Sequence, residues 1–268
     1  MNRETIKDIL QSEGILPLSK YGQNFLCDEN IIQSIVDLCE LKREDMVIEV
    51  GPGLGSLSFP LSLMSDHLAC VEIDKGLAER LKERITNATV FHQDFLKFER
   101  PSNINIDVVV SNIPYYIMTD IMKKLYGEYS DARKMVFMVE DDAVARIDCG
   151  PNTKQYGPLA ILGSLYGEYK YEFKVPHTAF VPQPNTTSAV ISFTRKDSAD
   201  NLCPEFVKFL NASFAMRRKM LRKNLSSIAS TESIDKAFAD LDISENARAE
   251  ELEPQKFAEL YKALSSKL

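Results

Sequence analysis

The chain has 268 residues, 44% of them hydrophobic and 26% charged, an ordinary globular composition for one large domain or one domain with an appendage. It contains no run of about 18 apolar residues that would read as a membrane span, and its start, MNRETIKDIL, lacks the apolar stretch of a secretory signal. The net charge of −7 argues weakly against a nucleic-acid partner, yet all of it lies in residues 1–199, because residues 200–268 hold 11 Lys+Arg against 11 Asp+Glu.

Residues 1–17 form a short polar-apolar segment, and residues 18–28 a loop with aromatic and amide side chains. Asp28 can cap a helix whose apolar positions are Ile31, Ile32, Ile35, Val36 and Leu38. Strands and helices then alternate. Strands are predicted at 46–50, 68–73, 89–92, 106–110 and 135–139, and helices from about 56, at 74–86, 118–129, 141–147 and 157–167. This alternation implies right-handed βαβ units and a parallel sheet. Two late strands, 171–175 and 189–193, are joined by a proline-rich loop without a helix, which predicts an antiparallel edge. Residues 195–204 are polar and read as a linker. Beyond them the pattern is helical only. Phe206, Leu210, Phe214, Met220, Leu221 and Leu225 form an apolar stripe, with shorter helices at 233–241 and 254–265. Five cysteines with no CxxC spacing predict buried thiols in a reducing cytoplasm, with neither disulfides nor a metal site. The three glycosylation sequons, at Asn87, Asn185 and Asn224, then read as chance matches.

Three features at the strand ends suggest a nucleoside site. Glu49-Val50-Gly51-Pro52-Gly53-Leu54-Gly55 is a strand-turn-helix glycine motif, which lets backbone approach a ligand at a helix N-terminus. It lacks the spacing of the dinucleotide fingerprint. Glu72 ends the next strand about 20 residues on, where a carboxylate can hold ribose hydroxyls, while Asp74 reads as a helix cap. Asp94 follows the third strand, where it can accept from an adenine amine beside the Phe95 ring. No phosphate-binding lysine motif occurs, so acids and a helix N-terminus fit S-adenosylmethionine better than NAD.

The fourth strand runs into Ser111-Asn112-Ile113-Pro114-Tyr115-Tyr116. Ligands of open α/β sheets bind beyond the carboxyl ends of the strands. An amide, a proline that removes a backbone donor, and two aromatic rings can there hold a flat, amine-bearing ring. The same residues also suit a plain strand-ending turn with tyrosines packed at its rim.

The chain resembles one family from about residue 18 to 263. The resemblance rests on KYGQNFLCD (20–28), EVGPGLG (49–55), VEID (71–74), QDF (93–95), NIPYYI (112–117), FVPQPNTTSAV (180–190), FAMRRKMLRKNL (214–225) and RAEELEPQKFAEL (248–260). Together they look like the KsgA-type ribosomal RNA adenine N6,N6-dimethyltransferases. The resemblance implies a Rossmann-like class I methyltransferase sheet in residues 1–196 and a small all-helical C-terminal domain in 204–268. It implies S-adenosylmethionine as cofactor and dimethylation of two adjacent adenosines near the 3′ end of small-subunit rRNA, on a pre-30S particle. It further implies a cytoplasmic monomer with no membrane contact. Asn24, Leu26, Gly51, Gly53, Glu72, Ile73, Asp94, Phe95 and Asn112 would contact the cofactor. Asn112, Ile113, Pro114, Tyr115 and Phe180 would hold the acceptor adenine, its ring lying between Tyr115 and Phe180. Pro182 and Pro184 suggest that Phe180 sits on a rigid rim loop.

Arg217, Arg218, Lys219, Arg222 and Lys223 supply five basic residues in the seven of RRKMLRK, read as a helix face that meets rRNA phosphate. Three departures from the family pattern stand out: Glu140-Asp141-Asp142 where it commonly reads QKE, Met118 in place of Ser or Thr, and Thr186 in place of Val. The alternatives are an Erm-type large-subunit rRNA methyltransferase, a non-catalytic assembly or transcription factor on the same fold, and a remote dinucleotide oxidoreductase. RAEELEPQKFAEL and YGPLA (156–160) look like the small-subunit branch.

Overall fold

The computed structural model describes residues 1–18, 21–101, 104–196 and 202–265. Asn2 opens the first helix, α1 (Arg3–Ser12), where its side chain accepts from the Thr5 amide. A short strand β1 (Phe25–Leu26) and helix α2 (Glu29–Leu38), capped by Asp28, follow. Strands and helices then alternate through β2 (Met46–Val50), α3 (Ser58–Met64), β3 (His67–Glu72), α4 (Lys75–Arg84), β4 (Ala88–His92), β5 (Val108–Asn112), α5 (Met118–Glu128), β6 (Lys134–Glu140) and α6 (Pro158–Tyr166). After them come β7 (Gly167–Val175), β8 (Phe180–Val181) and β9 (Ser188–Arg195). Four further helices are α7 (Pro204–Ser213), α8 (Leu221–Leu225), α9 (Thr231–Asp240) and α10 (Pro254–Ser265).

Seven strands pair in the order β4-β3-β2-β5-β6-β9-β7. β2 to β6 are parallel and β9 runs antiparallel to β6, so the mostly parallel sheet with an antiparallel edge forms as expected. β5 lies centrally, and its Val108, Val109 and Val110 are all fully buried, which is why a continuous apolar run codes it. The chain builds β2, β3 and β4 outward on one side, then returns to lay β5 against β2. The strand order therefore reverses between the carboxyl ends of β2 and β5, the place where open α/β sheets bind ligands.

The chain divides into two compact units. The first comprises Met1–Ile121, Asp131–Val144 and Tyr169–Arg195, and holds the sheet's parallel strands and β9. The second comprises Met122–Ser130, Ala145–Glu168 and Lys196–Leu268, so its helices are not confined to the C-terminal run. Phe206, Phe209, Leu210, Phe257 and Leu260 are buried in it, with Tyr261 packed on the first two rings at 5.2 and 5.5 Å.

Several elements differ from the expectation. β5 starts and ends two residues late, because the polar Ser111 and Asn112 remain in the ladder opposite β6. Ser111 is buried there and satisfies its hydroxyl on the Val50 carbonyl at 2.7 Å. Residues 1–17 contain a real helix, α1. The helix expected at 141–147 is a 3-10 segment, Asp141–Arg146. The apolar stripe over 206–225 is not one helix, since α7 ends at Ser213 and residues 214–220 turn. The buried Asn224 amide donates to the Ser213 and Met216 carbonyls at 2.6 and 3.3 Å and so terminates the helix. Residues 197–201 of the expected linker, and Lys20 of the KYGQNFLCD motif, lie outside the described residues.

Candidate active site

A cleft enclosing about 1020 Å³ of empty space, open solvent at its mouth included, lies within the first unit at the reversal point of the sheet. The turn after β2 forms its floor. Gly51 has φ +68°, and a Cβ there would meet nothing within 4 Å, so the backbone lies bare to the cleft. The Gly53 amide donates to one Glu72 oxygen at 2.9 Å, and the Asp74 amide donates to the other at 2.9 Å. Those two bonds fix the Glu72 carboxylate, which ends β3 and is only 4% exposed. Burial raises its pKa, opposed by the two amide bonds. Ile73 lines the same wall. Asp94 caps a 3-10 turn, Phe95–Lys97, by accepting from the Leu96 amide at 3.0 Å, and Phe95 is buried beside it.

The opposite wall is the end of β5. Asn112 donates its side-chain N–H to the Asn24 carbonyl at 3.3 Å, which joins residues 88 positions apart. Its Oδ1 has no partner among the described residues. The Ile113 amide donates to the Met138 carbonyl at 3.0 Å, while the Ile113 carbonyl accepts no hydrogen bond among the described residues. Pro114 contributes no N–H. Consecutive residues lining the cleft at the strand end thus each carry an acceptor, the Asn112 Oδ1 and the Ile113 carbonyl. Tyr115 is partly buried, and its hydroxyl bonds the buried Ser188 hydroxyl at 2.5 Å, so the ring is tethered to β9. Asn24 and Leu26 also line the cleft, and the Leu26 carbonyl accepts from the Ser56 hydroxyl at 2.7 Å.

The cleft thus gathers all the residues expected at the cofactor, together with Asn112, Ile113, Pro114 and Tyr115. Phe180 is not among them. It is fully buried in the core with Leu26, Ala179 and Val190, not on the rim. The reason is pairing: β8 runs antiparallel to β1 with Phe180 opposite Leu26. The Arg3 guanidinium further holds the Thr178 and Phe180 carbonyls. The exposed loop begins only at Pro182.

Sequence reasoning missed other contributors. Glu49 lines the cleft at 2% exposure, accepting from the Ser58 hydroxyl at 2.5 Å and the Cys70 thiol at 3.8 Å. Burial raises its pKa to about 7, with those two hydrogen bonds opposing. Its signal was the acid opening EVGPGLG. Ser188 could not have been paired with Tyr115 from sequence. Glu49, Glu72 and Asp94 make the cleft acidic, and no Lys, Arg or His stands among the described residues that line it. Such a site favours a cationic ligand and offers nothing to a diphosphate, so these residues fit S-adenosylmethionine, which carries a sulfonium and an ammonium. No described cluster of His, Cys, Asp or Glu could hold a metal, and no described helix is long and apolar enough to cross a membrane.

In the second unit the basic run is not the single helix face expected: Arg217, Arg218 and Lys219 lie in the turn after α7, and Arg222 and Lys223 lie on the short α8. Arg217 pairs with Glu250 at 3.3 Å and donates to the Thr153 and Tyr156 carbonyls. Arg222 grips Asp235 with two bonds of 2.5 and 2.6 Å. Arg218, Lys219 and Lys223 are exposed and have no ion-pair partner among the described residues.

The family model described as ribosomal RNA adenine dimethylase matches residues 18–266. A protein named ribosomal RNA small subunit methyltransferase A from Streptococcus gordonii is 37% identical, covering 96% of this chain and 95% of its own. A protein of the same name from Geobacillus kaustophilus is 35% identical over 97% of this chain and 94% of its own. The crystal structure of a dimethyladenosine transferase from Plasmodium falciparum superposes with a TM-score of 0.73 at 21% identity, covering 91% of this chain and 98% of that one. The 23S rRNA methyltransferase ErmE gives 0.59 at 23%, over 90% and 100%. These two likenesses bear on the fold, which is that of class I methyltransferases.

Proposed function

The chain belongs to the ribosomal RNA adenine dimethylase family, and from that premise we propose that it dimethylates the N6 amines of two adjacent adenosines near the 3′ end of small-subunit rRNA. It acts as a cytoplasmic monomer on the assembling 30S particle. The single observation that carries the cofactor reading is the acidic cleft without a basic lining residue. Glu72 takes the ribose hydroxyls, Asp94 the adenine amine, and the bare backbone at Gly51 the amino-acid end. When bound, S-adenosylmethionine supplies a methyl group on a cationic sulfur.

The chain's own residues position the acceptor. An adenine amine shares its lone pair with the ring and is a poor nucleophile. The Asn112 Oδ1 and the Ile113 carbonyl accept its two N–H groups, favour a pyramidal nitrogen and aim its lone pair along the cleft. The nitrogen releases a proton only once it has become cationic, so a strong base is not required. The carboxylates of the cleft and the two acceptors favour that developing charge. Tyr115, held by Ser188, stacks on the ring, and such contacts contribute about 1–3 kcal/mol for an unstacked base. Arg218, Lys219 and Lys223 meet rRNA phosphate.

Purified protein given labelled S-adenosylmethionine should methylate undermethylated 30S particles and leave 50S particles unlabelled. Label confined to large-subunit RNA would refute the small-subunit assignment.

A further inference from the structure

Tyr115 and Tyr116 are neighbours in sequence but face different surroundings. Both lie in a 3-10 turn, Tyr115–Ile117. That turn has about three residues per revolution, so consecutive side chains diverge by roughly 120°. Tyr115 points to Ser188 on β9. Tyr116 points the other way. Its ring lies against Gly22, where a Cβ would come within 3.5 and 3.7 Å of two ring carbons. Gly22 has φ +60° and belongs to the loop that supplies Asn24. The Tyr116 ring lines the cleft yet stays 56% exposed, which is a large aromatic surface at the mouth of a binding site. Partial burial raises the pKa of its hydroxyl, and the nearby Asp94, Tyr21 and Glu72 add to the rise. Asp94 and Glu72 are the acids at the nucleoside end.

We propose that the two tyrosines divide the ligands between them: Tyr115 serves the acceptor base, and Tyr116 closes the cleft mouth over the adenosine of the cofactor. The exposed face of Tyr116 is then covered when the cofactor binds, and Gly22, whose φ of +60° favours glycine, lets the loop backbone pass beneath the ring. This assignment deepens the S-adenosylmethionine reading of the cleft and rests on it.

The test is calorimetric titration of the full chain with S-adenosylhomocysteine, paired with steady-state KM values for S-adenosylmethionine and for 30S particles. Tyr116→Ala should weaken S-adenosylhomocysteine by roughly tenfold or more and raise the cofactor KM in step, with the 30S KM within about twofold. Tyr116→Phe, which keeps the ring, should recover most of that affinity. Wild-type protein that binds the nucleoside beside a Tyr116→Ala variant of equal affinity would overturn the assignment alone. So would a variant that raises only the 30S KM, which would place Tyr116 on the RNA. Wild-type protein that binds no S-adenosylhomocysteine would instead overturn the cofactor reading beneath it.

Discussion

The Asn112 amide divides its work between two partners. Its N–H is spent on the Asn24 carbonyl, which leaves Oδ1 oriented as an acceptor. Asn112→Ala should lower kcat by about 10²–10³, comparable to removing one preorganised hydrogen-bonding group from a transition state, with the far-ultraviolet spectrum unchanged. Turnover kept within a few-fold would show that the amine needs no such acceptor. Glu49 carries a different expectation. Its folded pKa of about 7 stands above the ordinary 4.5, so the folded state binds the proton more tightly than the unfolded state. This raised pKa stabilises the fold fully below pH 4.5 and loses that contribution as pH rises through about 7. Glu49→Gln should therefore gain on wild type in urea unfolding between pH 5 and 8, by up to roughly 3 kcal/mol. Parallel pH profiles for the two proteins would contradict it.

At the scale of elements, the sheet was legible because its central strands are continuous apolar runs and its caps are Asp28 and Asp74. The glycine turn, Glu72 and Asp94 were legible because each ends a parallel strand. Phe180 was not, because Pro182 and Pro184 mark a loop but say nothing of the two residues before it. Only the pairing with β1, more than 150 positions away, turns that ring inward. The basic run misled for a related reason. Its three-and-four spacing fits one helix, whereas the buried Asn224 fastens a turn that holds Arg217–Lys219 and leaves only Arg222 and Lys223 on α8. Local pairing changes which cations can reach RNA, since Arg217 and Arg222 are committed to Glu250 and Asp235. Replacing Arg218, Lys219 and Lys223 together by Ala should reduce the salt dependence of 30S binding by about two to three in log–log slope. Filter binding across a salt series would measure this, and S-adenosylhomocysteine affinity should not move. An unchanged slope would remove these three residues from the RNA contact. The departure at Glu140-Asp141-Asp142 also resolves locally, since Asp141 pairs with Lys174 at 2.7 Å and accepts from the Tyr171 hydroxyl at 2.9 Å.

For the whole molecule, the cleft is assembled from distant parts of the chain. α1 is held by Arg3 on the Thr178 and Phe180 carbonyls, and by Glu13 on Arg80 and Arg84 at 2.8 and 2.9 Å. β1 leads directly out of the loop that lines the cleft, and its sheet partner is β8. During synthesis, residues 1–26 thus leave the ribosome early and wait for Phe180 and Val181 before they can seat. A nascent chain that has exposed the parallel strands but not β8 has its glycine turn and Glu72 without the loop that closes over them. Stalled chains of increasing length should gain cofactor-dependent protease resistance abruptly once residue 181 clears the exit tunnel, and protection at shorter lengths would contradict this. Competence to bind the methyl donor is thereby postponed until about two thirds of the polypeptide has emerged from the ribosome.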